Sequence, residues 1–135
     1  MSKTNLAEKL DQILNVLLND FESAPDYLSE DVLWVNYLPE HIPFGGEYRG
    51  LQGIADYLEQ LAATLDLGEL EFEERFVTTA GELIVTGTEH RSFVRATGKH
   101  YTMPFVWVLR FDEAGKLIYL REHNDTLSIS EAFKT

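Results

Sequence analysis

The spacing of apolar residues along the chain changes from helical to strand-like about halfway along its length. In the first half, apolar side chains recur every three or four positions in two stretches, which predicts two amphipathic helices. The first stretch comprises Leu6, Leu10, Ile13, Leu14, Leu17, Leu18 and Phe21, and the second comprises Leu51, Ile54, Leu58, Leu61 and Leu65 and stops near Gly68. Between them we expect a short helix beginning at "SAPD", a strand "VLWVNYL" and a loop "PEHIPFGGEYRG".

The second half of the chain carries four segments with the alternation and the β-branched and aromatic content of strands. They are "LEFEERFV", "ELIVTGTEHRSFVRA", "HYTMPFVWVLRF" and "KLIYLREHN", with turn signals between them and a short helix, "TLSISEAF", after the last. Helices followed by strands predict an α+β fold: a cone-shaped α+β barrel in which N-terminal helices pack on a curved, mostly antiparallel sheet. With 135 residues the chain is expected to form a single domain over residues 1–135.

Strand alternation predicts which polar side chains face the interior, because successive side chains point to opposite faces. In residues 83–95 one set contains three charged residues, Glu89, Arg91 and Arg95, and should face solvent. The other set, which includes His90 and Ser92, is then expected to face the interior.

The last strand divides in the same way. Ile118 and Leu120 belong in the core, so Glu122 should point inward with them, whereas Arg121 and His123 should point to solvent or a partner. Asp125 starts the segment "DTLS" and could equally cap the final helix or touch a ligand.

Two further strands contribute aromatic side chains to the predicted interior. Trp34 and Asn36 share one face of the first strand. The third strand of the second half has an apolar face made of Tyr101, Met103, Phe105, Trp107, Leu109 and Phe111. We expect these faces to line the core or an apolar pocket finished by a few polar groups.

These placements predict a catalytic pair, Glu122 and His90, in an apolar cavity. A buried carboxyl and an imidazole perturb each other's pKa values, which is typical of acid/base machinery and also of buried structural hydrogen bonds. The predicted substrate-binding residues are Asn36, Ser92, Trp34, Met103, Phe105 and Trp107.

Composition restricts the possible partners. The formal net charge is −12, which disfavours nucleic acids and anionic membrane surfaces as partners. There are no cysteines, and the four histidines lack the spacing of a metal site, so we expect no metal and no cofactor. No stretch resembles a signal peptide or a membrane span, which predicts a cytoplasmic protein.

The order of elements, the loop "IPFGGEYRGLQGI" before the second long helix and the ending "LREHNDTLSISEAF" resemble the nuclear transport factor 2-like superfamily, in its SnoaL-like branch. That superfamily includes ketosteroid isomerases, polyketide cyclases, limonene epoxide hydrolases and members without known activity. By position, Glu122 falls on one catalytic Asp of the epoxide hydrolases, His90 on their Arg and Ser92 on their other Asp. The SnoaL-like cyclases use a His and Asp pair, whose analogue here is His90 with Glu122, or else His123 with Asp125.

Together, the residues and the resemblance predict a domain that binds a small apolar or amphipathic molecule and forms a homodimer through its open sheet. Two functions remain open. One is an acid/base enzyme of the isomerase, cyclase, dehydratase or hydrolase type, and the other is a non-catalytic ligand-binding or scaffold domain.

Overall fold

The computed structural model describes residues 3–135, with side chains from residue 6 onward. The elements in chain order are α1 (Lys3–Asn19), a 3₁₀ turn (Phe21–Asp26), β1 (Leu28–Asn36), β2 (Gly46–Arg49), α2 (Gly50–Thr64), β3 (Leu65–Asp66), β4 (Glu69–Val77), β5 (Leu83–Val94), β6 (Lys99–Phe111), β7 (Leu117–Asn124) and α3 (Thr126–Ala132). The predicted α+β architecture is confirmed.

A single, strongly curled sheet forms the centre of the molecule. Its strand order is β2-β1-β7-β6-β5-β3, and β4 pairs with β5. The β1–β7 pair is parallel, whereas every other described pair is antiparallel. The sheet is therefore mostly antiparallel, as predicted, and its concave face is available to receive the helices.

The helices pack on the sheet through the apolar stripes that the sequence predicts. In α1, Leu10, Ile13 and Leu17 are buried, and this helix contacts β4. In α2, Ile54 and Tyr57 are buried, and this helix contacts β1 and β2. Because side chains three and four positions apart share one face of a helix, each stripe faces the sheet while the opposite side stays in water.

Three predicted boundaries differ from the structure. The first strand begins at Leu28 rather than Val32, and the loop predicted over residues 39–50 contains the short strand β2, which pairs with the end of β1. The second long helix ends at Thr64, so Leu65 lies in β3 instead of in the helix. In each case strand pairing, which a local pattern does not show, decides the conformation.

Candidate active site

The concave face of the sheet and the helices enclose a cavity of about 70 Å³. Five of the predicted site residues line it: Trp34, Asn36, Met103, Trp107 and Glu122. Tyr101, which was predicted on the same apolar strand face as Met103 and Trp107, also lines it. The wall further includes residues that the sequence pattern did not place there, which are Phe44, Tyr57, Glu89, Ile129 and a group of leucines. The cavity is thus largely apolar, with a few polar groups on one side.

Glu122 is the centre of a hydrogen-bond network in this cavity. Its Oε2 accepts hydrogen bonds of 2.7 Å from both Trp34 Nε1 and the Tyr57 hydroxyl. The Tyr57 hydroxyl in turn accepts from Asn36 Nδ2 at 3.0 Å, and Asn36 Oδ1 accepts from Asn124 Nδ2 at 2.8 Å. In each of these bonds the acceptor is the group nearer to Glu122 along the network. The network therefore fixes the carboxyl group and supports its charged form.

Burial nevertheless dominates the protonation of Glu122. Removal from water raises the pKa of this carboxyl group to about 7, although the hydrogen bonds from Trp34 and Tyr57 oppose the shift. The nearby carboxyl group of Glu89 adds a smaller upward contribution. A group with this pKa is present in both its acid and its base form near neutral pH, which suits it to proton transfer.

Tyr57 remains a neutral donor in this arrangement. Its pKa lies well above the ordinary value, because the hydroxyl is buried and faces the Glu122 carboxyl group. The side chain comes from α2 and lies between the rings of Trp34 and Tyr48, with centroid distances of 5.8 and 4.8 Å. Packing against two rings holds the hydroxyl in position.

A second carboxyl group, that of Glu89, also lines the cavity. Its Oε2 accepts a hydrogen bond of 2.5 Å from Ser92 Oγ, and the Tyr101 hydroxyl bonds to the same side chain. Burial raises the pKa of Glu89, while the bonds from Ser92 and Tyr101 lower it in part. The cavity therefore contains two carboxyl groups whose neutral forms are favoured by burial.

The predicted inward orientation of His90 is wrong. Its side chain lies on the outer face of the sheet, where Nε2 is 2.9 Å from Glu71 Oε1, and it does not line the cavity. Glu89 faces the interior instead, together with Leu83 and Val85, which occupy the same alternate positions of the strand and were therefore also expected to face solvent. The predicted Glu122–His90 pair is thus not brought together.

A β-bulge in β5 explains this error. The pairing of β5 with β6 shifts between Glu89 and Ser92, and Arg91 has a φ of 52°. The bulge inserts one residue into the alternation, so that Glu89 and Ser92 both point inward although three positions separate them. Odd-numbered positions face the interior before the bulge, and even-numbered positions face it after the bulge.

Gly68 packs directly against the bulge. Its N–H donates to Ser92 Oγ at 2.9 Å, and a Cβ atom at this position would lie 1.7 Å from the carbonyl oxygen of His90. Only glycine permits this approach. The contact anchors Ser92, which in turn orients Glu89.

Two other predicted binding residues are buried but do not line the cavity. Ser92 is fully buried, and its hydroxyl group donates a hydrogen bond to Glu89 and accepts one from the Gly68 N–H. Phe105 lies behind the cavity wall, where its ring stacks on Trp107 at 4.6 Å and meets Phe72 edge-on. Both are supporting residues in this geometry.

The sequence contains signals for two of the residues that were missed. Tyr57 is three positions after Ile54 and four before Leu61, so helical periodicity places it on the buried face of α2. Leu83, Val85 and Gly87 form an uncharged run at alternate positions that leads to Glu89. A parity count restricted to this run would have predicted that Glu89 faces inward.

The remaining candidates lie outside the cavity. Arg121 stacks over the ring of Tyr37 at 5.2 Å, and His123 is exposed. Asp125 occupies the N-cap position of α3 and accepts a hydrogen bond of 2.6 Å from Ser128 Oγ. These side chains belong to the surface and to the start of α3.

Neither a metal cluster nor a membrane span is found in the part of the chain that the structure describes. Among the described side chains, no group of three or more metal-ligating residues is close enough to hold an ion. None of the described helices is both long and apolar enough to cross a bilayer.

Solved structures with similar folds cover nearly all of the chain. An NTF2-like protein from Burkholderia xenovorans LB400 superposes with a TM-score of 0.82 at 20% identity and covers 99% of both chains. A Bacillus subtilis protein provisionally described as an isomerase gives 0.78 at 20% identity, covering 98% of this chain and 96% of that one. A Mesorhizobium loti protein provisionally described as a SnoaL-like polyketide cyclase gives 0.70 at 16% identity, covering 91% and 99%.

Sequence comparison identifies the family. None of the curated proteins gives a significant match. The family of SnoaL-like domains, in contrast, matches residues 16–120, which is most of the chain. The protein therefore belongs to the SnoaL-like domain family of the NTF2-like superfamily.

Proposed function

We propose that the protein is an acid/base enzyme that moves a proton on a small, largely apolar molecule, with Glu122 as the proton carrier. One observation carries this proposal: a carboxyl group in an apolar cavity has a pKa of about 7 and a fixed orientation. Both protein donors bind Oε2, and among the described side chains none donates to Oε1. Oε1 is therefore the atom available to a substrate.

The chemistry that this arrangement supports is proton abstraction next to a carbonyl group. Oε1 of ionised Glu122 accepts a proton from carbon, and the C–H electron pair moves into the enolate. The protonated carboxyl group then returns the proton to the same carbon or to another one. Isomerisation needs only these two steps, and cyclisation or dehydration can begin with the first. The fold relatives provisionally described as an isomerase and a cyclase are consistent with this reaction class.

A non-catalytic ligand-binding domain is the second candidate. It is favoured by the absence of imidazole, ammonium and guanidinium groups from the described cavity wall. A carboxyl group that serves only structure would make the same hydrogen bonds to Trp34 and Tyr57. Turnover distinguishes the two candidates, because a binding domain requires no proton transfer.

The test is the exchange of the α-hydrogens of β-tetralone, a small bicyclic ketone, followed by NMR in D₂O. We expect the wild-type protein to accelerate exchange over buffer, with a rate that rises as pH increases through the Glu122 pKa of about 7, because only the ionised form abstracts a proton. If the rate equals that of buffer on both sides of this pKa, the binding-domain alternative holds for this probe.

We further propose that the protein forms a homodimer through the outer face of the sheet. Phe76, Ile84 and Val108 are paired across β4, β5 and β6, and Val106 lies beside them. Phe76 and Val106 are exposed. An apolar row of this kind on a sheet face is typical of an interaction surface.

Light scattering at micromolar concentration should give twice the chain mass of 15.4 kDa. Val106→Lys should shift the protein toward the monomer, because it places a charge in the apolar row. Leu127→Lys, at an exposed position on α3, is the matched control and should remain dimeric. A monomeric wild-type mass would contradict this proposal.

A further inference from the structure

The inner end of the cavity is shut off from water by the apolar residues around its mouth. Trp34, Asn36 and Trp107 line the cavity and are no more than 5% exposed. Leucines from several segments lie at the outer end, where Leu18 and Leu67 are exposed. A water-sized group needs about 10–15 Å³, so the cavity of about 70 Å³ holds about six such groups. A larger molecule can enter whole only if part of the wall moves.

Two of the three helices in the wall are fixed to the sheet. Helix α2 follows β2 and precedes β3 without an intervening residue, so strand pairing holds both of its ends. The end of α3 is bound by side chains from the turn between β5 and β6 and from the start of β6. Thr97 Oγ1 donates to the Ala132 carbonyl oxygen at 2.6 Å, and Lys99 Nζ donates to the Lys134 carbonyl oxygen at 2.6 Å.

Helix α1 is attached to the rest of the molecule in a different way. Its main contacts are with β4 and with the 3₁₀ turn that follows it. It contributes Leu14, Leu17 and Leu18 to the cavity wall. Among the described side chains, none in residues 12–19 forms a hydrogen bond or an ion pair with the sheet. The half of α1 that covers the cavity is thus held by apolar contacts.

The polar attachments of α1 lie in its other half. Arg75 of β4 donates from Nη1 to the Ala7 carbonyl oxygen at 2.7 Å, and from Nη1 and Nη2 to the two carboxylate oxygens of Asp11 at 3.0 and 2.8 Å. Lys9 Nζ donates to the Gly115 carbonyl oxygen. A guanidinium group that binds both oxygens of a carboxylate fixes the geometry as well as the distance. These contacts therefore set the position of α1 on the sheet.

The other end of α1 leads into a fixed turn. Asp20 separates the helix from the 3₁₀ turn and has non-helical φ and ψ angles of −153° and 64°. Its carboxylate accepts a hydrogen bond of 2.7 Å from Ser23 Oγ, and Ala24 in the turn is fully buried. Asp11 lies about 14 Å from Asp20 along the helix axis, so a small rotation at Asp20 is enough to displace the attached half of α1.

We propose that α1 is a lid over the cavity, which turns about Asp20 and is held closed by Arg75 and Lys9. Opening moves the leucines of α1 away from those of α2 and of residues 67–70, and it admits molecules to the inner end of the cavity. Such a lid serves an enzyme and a binding domain alike. The inference therefore does not depend on the proposed proton transfer.

Quenching of tryptophan fluorescence by acrylamide measures the opening, because the chain has two tryptophans and both line the cavity. Asp11→Asn removes the charge that Arg75 binds. It should increase the quenching rate constant about two- to fivefold, since loss of a partly exposed ion pair raises the open population by about this factor. Glu82→Gln is the matched control, because it breaks the 2.6 Å ion pair with Arg110 outside the cavity wall and should leave the quenching unchanged.

A covalent cross-link tests the closed state. The chain has no cysteines, so Asp11→Cys and Arg75→Cys in one protein can be joined selectively by a cleavable thiol-specific reagent as long as the two side chains it replaces. We expect the cross-linked protein to be quenched at least about twofold less than the wild type, and reduction of the cross-link to reverse this effect. Unchanged quenching in both the cross-linked protein and Asp11→Asn would overturn the lid.

Hydrogen exchange locates the opening within the chain. In Asp11→Asn the amides of residues 12–19 should exchange faster than in the wild type, whereas those of β5 and β6 should keep their wild-type rates. Faster exchange throughout the described elements would show a general loss of stability, and this result would also overturn the lid.

Discussion

Replacing Glu122 by glutamine is expected to slow the α-hydrogen exchange of β-tetralone by about 10²- to 10⁴-fold, the usual contribution of a general base. The amide oxygen of glutamine can accept the hydrogen bonds of 2.7 Å that Trp34 Nε1 and the Tyr57 hydroxyl donate to Oε2. The amide nitrogen then occupies the position of Oε1 and has no lone pair that takes a proton from carbon. The substitution thus removes the base and keeps the geometry.

His90→Gln is the matched control for this experiment. His90 lies on the outer face of the sheet against Glu71, outside the cavity wall. The exchange rate of β-tetralone with this variant should therefore equal the rate with the wild-type protein. A wild-type rate in a folded Glu122→Gln protein would exclude Glu122 as the base. A slower exchange rate with His90→Gln would show that the imidazole takes part in the reaction.

The same glutamine variant is expected to gain stability relative to wild type as the pH increases. The pKa of Glu122 is raised from 4.5 to about 7 in the folded protein, so between these values the folded state holds a proton that the unfolded state has lost. Stability of the wild-type protein therefore falls with increasing pH through this window. The contribution of Glu122 is complete below the unfolded pKa and is lost above the folded one.

Glutamine does not titrate, so this loss is absent from the variant. At 1.36 kcal/mol per pKa unit, the difference in free energy of unfolding should move by roughly 3 kcal/mol in favour of Glu122→Gln between acidic pH and pH above 7. Urea unfolding at a series of pH values measures it. A difference that stays constant across the window would show that the folded-state pKa of Glu122 is close to that in the unfolded chain.

Regular strands are where the sequence predicts the site well. Tyr101, Met103, Phe105, Trp107 and Leu109 alternate without interruption in β6, and all five are buried as predicted. The same alternation correctly places Trp34 and Asn36 in β1, and Glu122 in the cavity wall. Regular pairing preserves the period of two, so parity carries over from one end of such a segment to the other.

Parity fails where pairing is irregular. In β7 the register shifts between Arg110 and Phe111 of the paired strand, and Ile118 is exposed although Leu117 and Leu120 are fully buried. In β5 the bulge reverses the faces of Glu89 and His90. A bulge arises from contacts with other segments, such as the approach of Gly68, and an arginine gives no local signal of a positive φ.

The bulge at Arg91 determines which titratable side chain β5 contributes to the cavity wall. Glu89 and His90 are neighbours in sequence, and the one extra residue in the bulge decides which of them faces the cavity. If β5 paired regularly with β6 from Ser92 back through His90, the imidazole would face the cavity and Glu89 would face outward. The irregular pairing that packs against Gly68 therefore determines that this part of the cavity wall carries a carboxyl group and not an imidazole.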